Sequence, residues 1–131
     1  MGTVNDAIFA NKLGHFYQNM ADGLGEFLHT HIGTLPKNQV TSLADQQNQI
    51  INYANMFFAL SDRIAFEESE TYFKGVSDSI DSIDKAVKGI NDINKAITIA
   101  AGLITLAAAI VTENGGGIVS SLQTIAGAVK G

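Results

Sequence analysis

The chain has 131 residues, 46% of them hydrophobic and 16% charged, with a formal net charge of -5 and no cysteine. This length fits one domain with a real core, so residues 1–131 are read as a single helical-bundle domain. The scattered Lys and Arg and the negative balance exclude nucleic acid as a partner, which needs a concentrated basic surface; the missing cysteines exclude disulfides, thiolate metal sites and cysteine nucleophiles.

Met1 to Asp6 has neither the basic flank nor the apolar core of a signal peptide. The expected location is the cytoplasm, or outside the cell by a signal-independent route. Helix one is expected over residues 6–31. Thr3 and Asp6 stand at capping-box spacing. Phe9, Leu13, Phe16, Met20, Leu24 and Phe27 recur on one face, with Tyr17 and Leu28 at its edge. Gly14, Gly23 and Gly25 each lower helicity by up to about 1 kcal/mol against Ala, which points to a closely approaching neighbour or a bend. Gly33-Thr34-Leu35-Pro36 reads as a stop and turn.

Helix two is expected over residues 40–67, with a start near Pro36 or Ser42. Val40, Leu43, Ile50, Ile51, Ala54, Phe57, Phe58 and Ala65 share its apolar face. Asp45-Gln46-Gln47-Asn48-Gln49 faces solvent. Glu67-Glu68-Ser69-Glu70 is the most acidic patch, either an exposed turn or the start of the next helix.

Helix three, residues 70–112, is the rod around which the rest is arranged. Phe73, Val76, Ile80, Ile83, Val87, Ile90 and Ile97 form a heptad seam, with Asn94 as a polar notch that sets register against a partner helix. Asp81 with Lys85, and Asp84 with Lys88, are supportive i,i+4 pairs. From residue 96 to residue 112 there is no charge, and a helix apolar on every side must be buried in protein or in lipid. That run reaches roughly 25 Å, short of the ~30 Å hydrocarbon core of a bilayer. Glu113-Asn114-Gly115-Gly116-Gly117 reads as a turn. Helix four, residues 118–130, has Ile118, Leu122, Ile125 and Val129 on one face and Ser120, Ser121, Gln123 and Thr124 elsewhere. The predicted fold is all-α: an elongated antiparallel bundle of three long helices plus a short C-terminal helix, with an apolar C-terminal helical hairpin.

His15, Asp22, Glu26 and His29 fall in one sector of helix one, and Glu26-x-x-His29 has the spacing of di-iron carboxylate bundles. One such motif, facing away from the core, reads as a solvated polar face, so no metal or other cofactor is expected. His29 and His31 suit a helix C-terminus. Protonating all three histidines would move the charge from -5 towards -2 and ease approach to an anionic membrane. No serine sits in a nucleophile elbow, and the glycines lack the Lys-Ser/Thr of a phosphate loop. No catalytic residue and no enzyme activity are expected.

What remains is the apolar hairpin. Ile97, Ile99, Leu103, Ile104, Leu106, Ile110, Val111, Ile118, Val119, Leu122 and Ile125 are its expected membrane or partner contacts. In one reading the protein is membrane-active, a subunit of an oligomeric pore. In the other it is a non-enzymatic interaction or structural module that buries the rod against itself or another helical protein. Ala101→Asp is expected to separate them, sparing the fold only if this segment serves a membrane. The layout resembles the α-helical pore-forming toxins of the haemolysin E (cytolysin A) kind, in the rod Phe73 to Ile97 and the apolar segment Ala96 to Val129. The likeness implies self-association and a hairpin that enters lipid.

Overall fold

The computed structural model describes residues 2–60, 70–90, 92–112 and 115–130, with side chains described for residues 10–59, 75–76, 78–90, 92–112 and 116–129. Five helices are described: α1 (Gly2–His31), α2 (Lys37–Leu60), α3 (Glu70–Lys88), α4 (Ile93–Val111) and α5 (Gly115–Lys130), with no strand among the described residues. The fold is all-helical, as the periodicity predicts. The end of the second expected helix (residues 61–67), the acidic residues Glu67 to Ser69, and Glu113-Asn114 lie outside the described residues, as do the side chains of Phe9 and Phe73.

The long rod over residues 70–112 is the main correction. It is two helices, and the chain reverses between them. Gly89 donates its N–H to Lys85 O (3.1 Å) and Ile90 to Val87 O (3.3 Å), which tightens the end of α3. Asp92, in extended backbone (φ -132, ψ 123), then caps α4: its carboxylate accepts the Asn94 N–H at 2.9 Å, and its carbonyl accepts the first helical bond from Ala96. Asn94 is therefore no notch in a buried seam. It is exposed in the first turn of α4, where its side-chain oxygen accepts a bond from Gln39 Nε2 (3.0 Å). Of the seam residues with described side chains, Val76, Ile83, Val87 and Ile90 are buried, and Ile80 is half-buried.

Other boundaries also move. α1 begins at Gly2, so Thr3 and Asp6 lie within the helix and do not mark its start. The three glycines expected as a turn form the first turn of α5.

Contacts give the arrangement. α1 packs on α2, α2 on α4, α4 on α5, α5 on α3, and α3 back on α1, so the helices close a ring. Direction follows from particular residues. Gly14 of α1 lies beside Phe58 and Gly25 beside Gln47, so α1 and α2 are antiparallel. Gln39 bonds Asn94 and Gln46 bonds Ile97, so α2 and α4 run the same way. Lys95 lies beside Val129 and Gly102 beside Ile125, so α5 returns. Consecutive helices alternate up and down, as short connections favour. The ring nonetheless contains parallel neighbours, which the expected antiparallel bundle did not.

The apolar stripe of α1 is the inner wall: Leu13, Phe16, Tyr17, Met20, Leu24 and Phe27 are all buried. The glycines of α1 are contact points, as expected. A Cβ on Gly14 would sit 2.6 Å from Phe58, and one on Gly23 would sit 2.6 Å from Val87. The same device closes α4 on α5, where a Cβ on Gly102 would lie 2.6 Å from Ile125 Cγ1. Gly102→Ala should therefore destabilise the protein by about 1–3 kcal/mol in urea denaturation. Because Ile125→Ala removes the opposing Cγ1, the cost of Gly102→Ala should shrink when it is measured in an Ile125→Ala background.

Candidate functional site

α4 has two faces of different chemistry. Inward lie Ile93, Ile99, Leu103, Leu106 and Ile110, all buried, with Ala96, Ala100, Ala107 and Ala109 between them. Outward lie Asn94, Thr98, Ala101, Thr105 and Thr112, all exposed. A helix at the surface of a soluble bundle normally carries charge on its outer stripe; this stripe has none. Its threonine hydroxyls bond within the helix, Thr98 to Asn94 O (2.9 Å), Thr105 to Ala101 O (2.9 Å) and Thr112 to Ala108 O (2.8 Å). They present methyl groups and lone pairs outward, with no free proton.

α5 continues this surface. Gly116, Val119, Ser120, Gln123, Thr124, Ala126 and Gly127 are exposed, and no charged residue precedes Lys130 in the helix. Lys95, near the start of α4, donates from Nζ to Val129 O (3.1 Å). This sets a cation at the C-terminal end of α5, where the helix dipole favours it, and ties the hairpin to itself.

The expected contact residues divide between these faces. Ile99, Leu103, Leu106, Ile110, Ile118 and Ile125 are buried inside the bundle. Ile97, Ile104, Val111 and Leu122 are half-buried, and Val119 stands out at 43% exposure. Ala101 is exposed while Ala100 is fully buried. Ala101→Asp therefore leaves the bundle core untouched, and Ala100 is the position that reports on it. Ser121, expected off the apolar face, is buried at 3% exposure, and its Oγ has no hydrogen-bond partner. Its spacing was the signal, three residues after Ile118 and four before Ile125.

Three side chains of α1 and α2 donate hydrogen bonds into α4. Tyr17 Oη reaches Leu103 O at 2.7 Å, Gln46 Nε2 reaches Ile97 O at 3.3 Å, and Gln39 reaches Asn94 as described. Among the described residues α4 donates none in return. Leu103 O and Ile97 O keep their own helical bonds, so losing Tyr17 and Gln46 leaves the α4 backbone satisfied, and Asn94 Oδ1 is exposed at the start of the helix. Tyr17 is fully buried, against Phe16 (ring centroids 5.4 Å) and Phe57 (5.3 Å). Burial first, and the nearby Tyr53 second, push its phenol well above the ordinary value of 10.

The polar sector of α1 holds no such construction. Asp22, Glu26 and His29 are exposed, and His15 sets its ring edge against Phe58 (5.0 Å). Among the described residues no three His, Asp or Glu side chains are placed to hold a metal ion. At the end of α1, His31 Nδ1 donates to Phe27 O (3.0 Å), and its ring packs on Phe27 (4.5 Å). Of the two expected i,i+4 ion pairs on α3, Asp84–Lys88 closes at 3.0 Å.

No protein-family model, curated protein or solved structure matches this chain.

Because the folded protein holds the Tyr17 proton above the pH at which the unfolded chain releases it, that contribution to stability is complete below pH 10 and falls as pH rises further. Tyr17→Phe should lower stability by about 1 kcal/mol at neutral pH. Urea denaturation in alkaline buffers should also show a shallower loss of stability in the variant.

Proposed function

We propose that this is a non-enzymatic, membrane-active helical protein whose α4–α5 hairpin is held in the bundle and enters lipid. In this reading it is a subunit of an oligomeric helical pore of the toxin type. The observation that carries the proposal is the outward face of the hairpin. Core packing accounts for an apolar inward face, but it gives no reason for an exposed face without charge and with its threonine protons bonded inside the helix. A low-dielectric solvent accounts for both. α4 is also the one described helix long and apolar enough to cross a membrane. At 19 residues it spans roughly 28 Å, against a hydrocarbon core of ~30 Å.

The same packing limits when this can happen. Each of the five large side chains buried on α4 contributes about 1.5–3 kcal/mol. Together they rival the roughly 5–15 kcal/mol that holds a whole domain folded. The hairpin therefore leaves the bundle only where another apolar phase receives it. The polar bonds that hold α4 are donated to it from α1 and α2, so parting adds about 1 kcal/mol for each bond and leaves the α4 backbone satisfied.

A second reading, a helical interaction module, is favoured by the depth of that packing, with ten of the 19 residues of α4 buried in the bundle. Dye release from liposomes separates the two. The membrane reading expects leakage by the purified protein within about pH 5 to 8. Ala101→Asp should keep the helical circular dichroism and melting profile of the parent and lose leakage about 100-fold, since an acid at a helix centre disfavours insertion by about 2.5–3.5 kcal/mol. Ala100→Asp should fail to fold. No leakage at any pH, from protein that is folded, would leave the interaction module.

A further inference from the structure

Lysines scattered along the sequence meet at one end of the bundle. Because consecutive helices alternate in direction, α1, α3 and α5 end where α2 and α4 begin. A groove whose lining includes Phe27, His31, Lys88 and Ile90 joins the ends of α1 and α3. Gly75 beside Leu122, and Ile83 in one groove with Ile125 and Val129, set α5 parallel to α3. Lys95 bonded to Val129 O brings the start of α4 to the same end. Within two turns of this end, among the described residues, lie Lys37, Lys85, Lys88, Lys95 and Lys130, five of the eight Lys and Arg of the chain. Three acids accompany them, Glu26, Asp84 and Asp92. The end thus carries a formal charge of +2 in a chain of -5, and the remainder carries -7.

Helix dipoles do not account for this sorting. They favour cations in the last turn of a helix and acids in the first. Lys85 and Lys88 on α3 fit that rule, as does Lys130 on α5. α2 and α4 invert it: each has a lysine in its first turn, no acid there and no basic residue in its last turn. Lys95 is held by Val129 O. Lys37 and Lys85 are exposed, and neither has an ion pair among the described residues, where Asp84–Lys88 is the pair at this end. Local helix stability therefore gives no reason for Lys37. Between α1 and Lys37 stands Ile32, at 61% the most exposed of the large apolar side chains described. His29 and Lys37, both exposed, flank it in the chain.

We propose that this end docks on an anionic bilayer surface, with Lys37, Lys85 and Lys88 among the lipid headgroups and Ile32 in the interface. Charge acts in both senses. The end is attracted to anionic lipid and the remainder, at -7, is repelled, so the bundle stands on its basic end. Ile32 selects a bilayer over a soluble polyanion. An exposed aliphatic chain gains nothing against a row of phosphates or carboxylates. At a bilayer it enters the boundary between headgroups and acyl chains, while lysines beside it keep their ammonium groups in water. The docking goes beyond the insertion reading and does not depend on it. It leaves the last turn of α4 and the first turn of α5 at the far end of the bundle, so adhesion and insertion are separate steps.

The test is co-sedimentation of the full chain with vesicles of phosphatidylcholine alone or with roughly a third phosphatidylserine, at neutral pH. The expected result is binding to the phosphatidylserine vesicles that weakens as salt rises, and little binding to phosphatidylcholine alone. Lys37→Gln should weaken binding roughly fivefold, and Lys37→Gln with Lys85→Gln roughly thirtyfold. Ile32→Ser should weaken it roughly fivefold. These three positions are exposed, so circular dichroism and melting should match the parent. Lys74→Gln removes the same charge from the second turn of α3, at the opposite end, and should change binding less than about twofold. No binding by folded protein at low salt overturns the proposal, as does equal binding to both vesicles or an equal loss in Lys37→Gln and Lys74→Gln. Capture of oligothymidylate or polyglutamate in place of the vesicles overturns the bilayer as partner. Parental binding by Ile32→Ser overturns the apolar contact that selects it. Leakage is scored in the same vesicles: docking without leakage counts against insertion alone, and leakage that needs neither Lys37 nor phosphatidylserine counts against docking alone.

Discussion

Helix α4 needs apolar surroundings, and the other four helices are disposed around that need. Ile93, Ile99, Leu103, Leu106 and Ile110 face inward, where α1 supplies the Leu13-to-Phe27 stripe and α2 supplies Leu43, Ile50 and Phe57. Ala96, Ala100, Ala107 and Gly102 keep the helix thin enough for neighbours to approach on more than one side. Tyr17 crosses the ring to the middle of α4 and brings its hydroxyl to a carbonyl already bonded in its own helix. It thereby fixes the height of α1 against α4 without asking α4 for a donor. Burial of that phenol makes the contact selective, since only a neutral hydroxyl with a partner is tolerated there.

Charge segregation follows from the way the ring is closed. The helices richest in Asp, Glu and Lys, α1 and α3, are neighbours, and the three poorest are neighbours in turn. One side of the molecule is hydrated by charge, and the other meets its surroundings through amides, hydroxyls and methyls. Such a side suits a neutral protein surface, and its α4–α5 part suits lipid. The α2 part, with its exposed asparagines, suits water or protein only. A hairpin that enters a membrane therefore has to part from α2, and losing the bonds between α2 and α4 leaves the α4 backbone satisfied.

Much of the fold was legible in the chain. The period of Leu13, Phe16, Met20, Leu24 and Phe27 reports a buried helix face because side chains three and four apart lie over one another, and the structure buries every one. The glycines of α1 signalled close neighbours for the same local reason. The reversal at Gly89 to Asp92 was hidden because its short turn preserves the three- and four-residue steps of the seam, so Ile83, Val87, Ile90 and Ile97 read as one line through a point where the chain turns back. The signals were present in the terminal chemistry: two lysines and a glycine closing α3, then Asp92 as a cap for α4. Ser121 was misplaced because a polar residue was assigned outward by type, although its spacing put it among Ile118, Leu122 and Ile125.

The sequence by itself determined that the chain is helical, which face of each helix is apolar, and that residues 96–129 carry a single charge, Glu113. These are properties of neighbours along the chain and need only the helical period. Which helices touch, that α3 and α4 run opposite ways, that the neutral helices share one side, and that Ser121 lies buried were decided by the tertiary structure. Each depends on residues tens of positions apart, such as Tyr17 with Leu103 or Lys95 with Val129. A local pattern states that a face must be covered, and only the packed structure states by what.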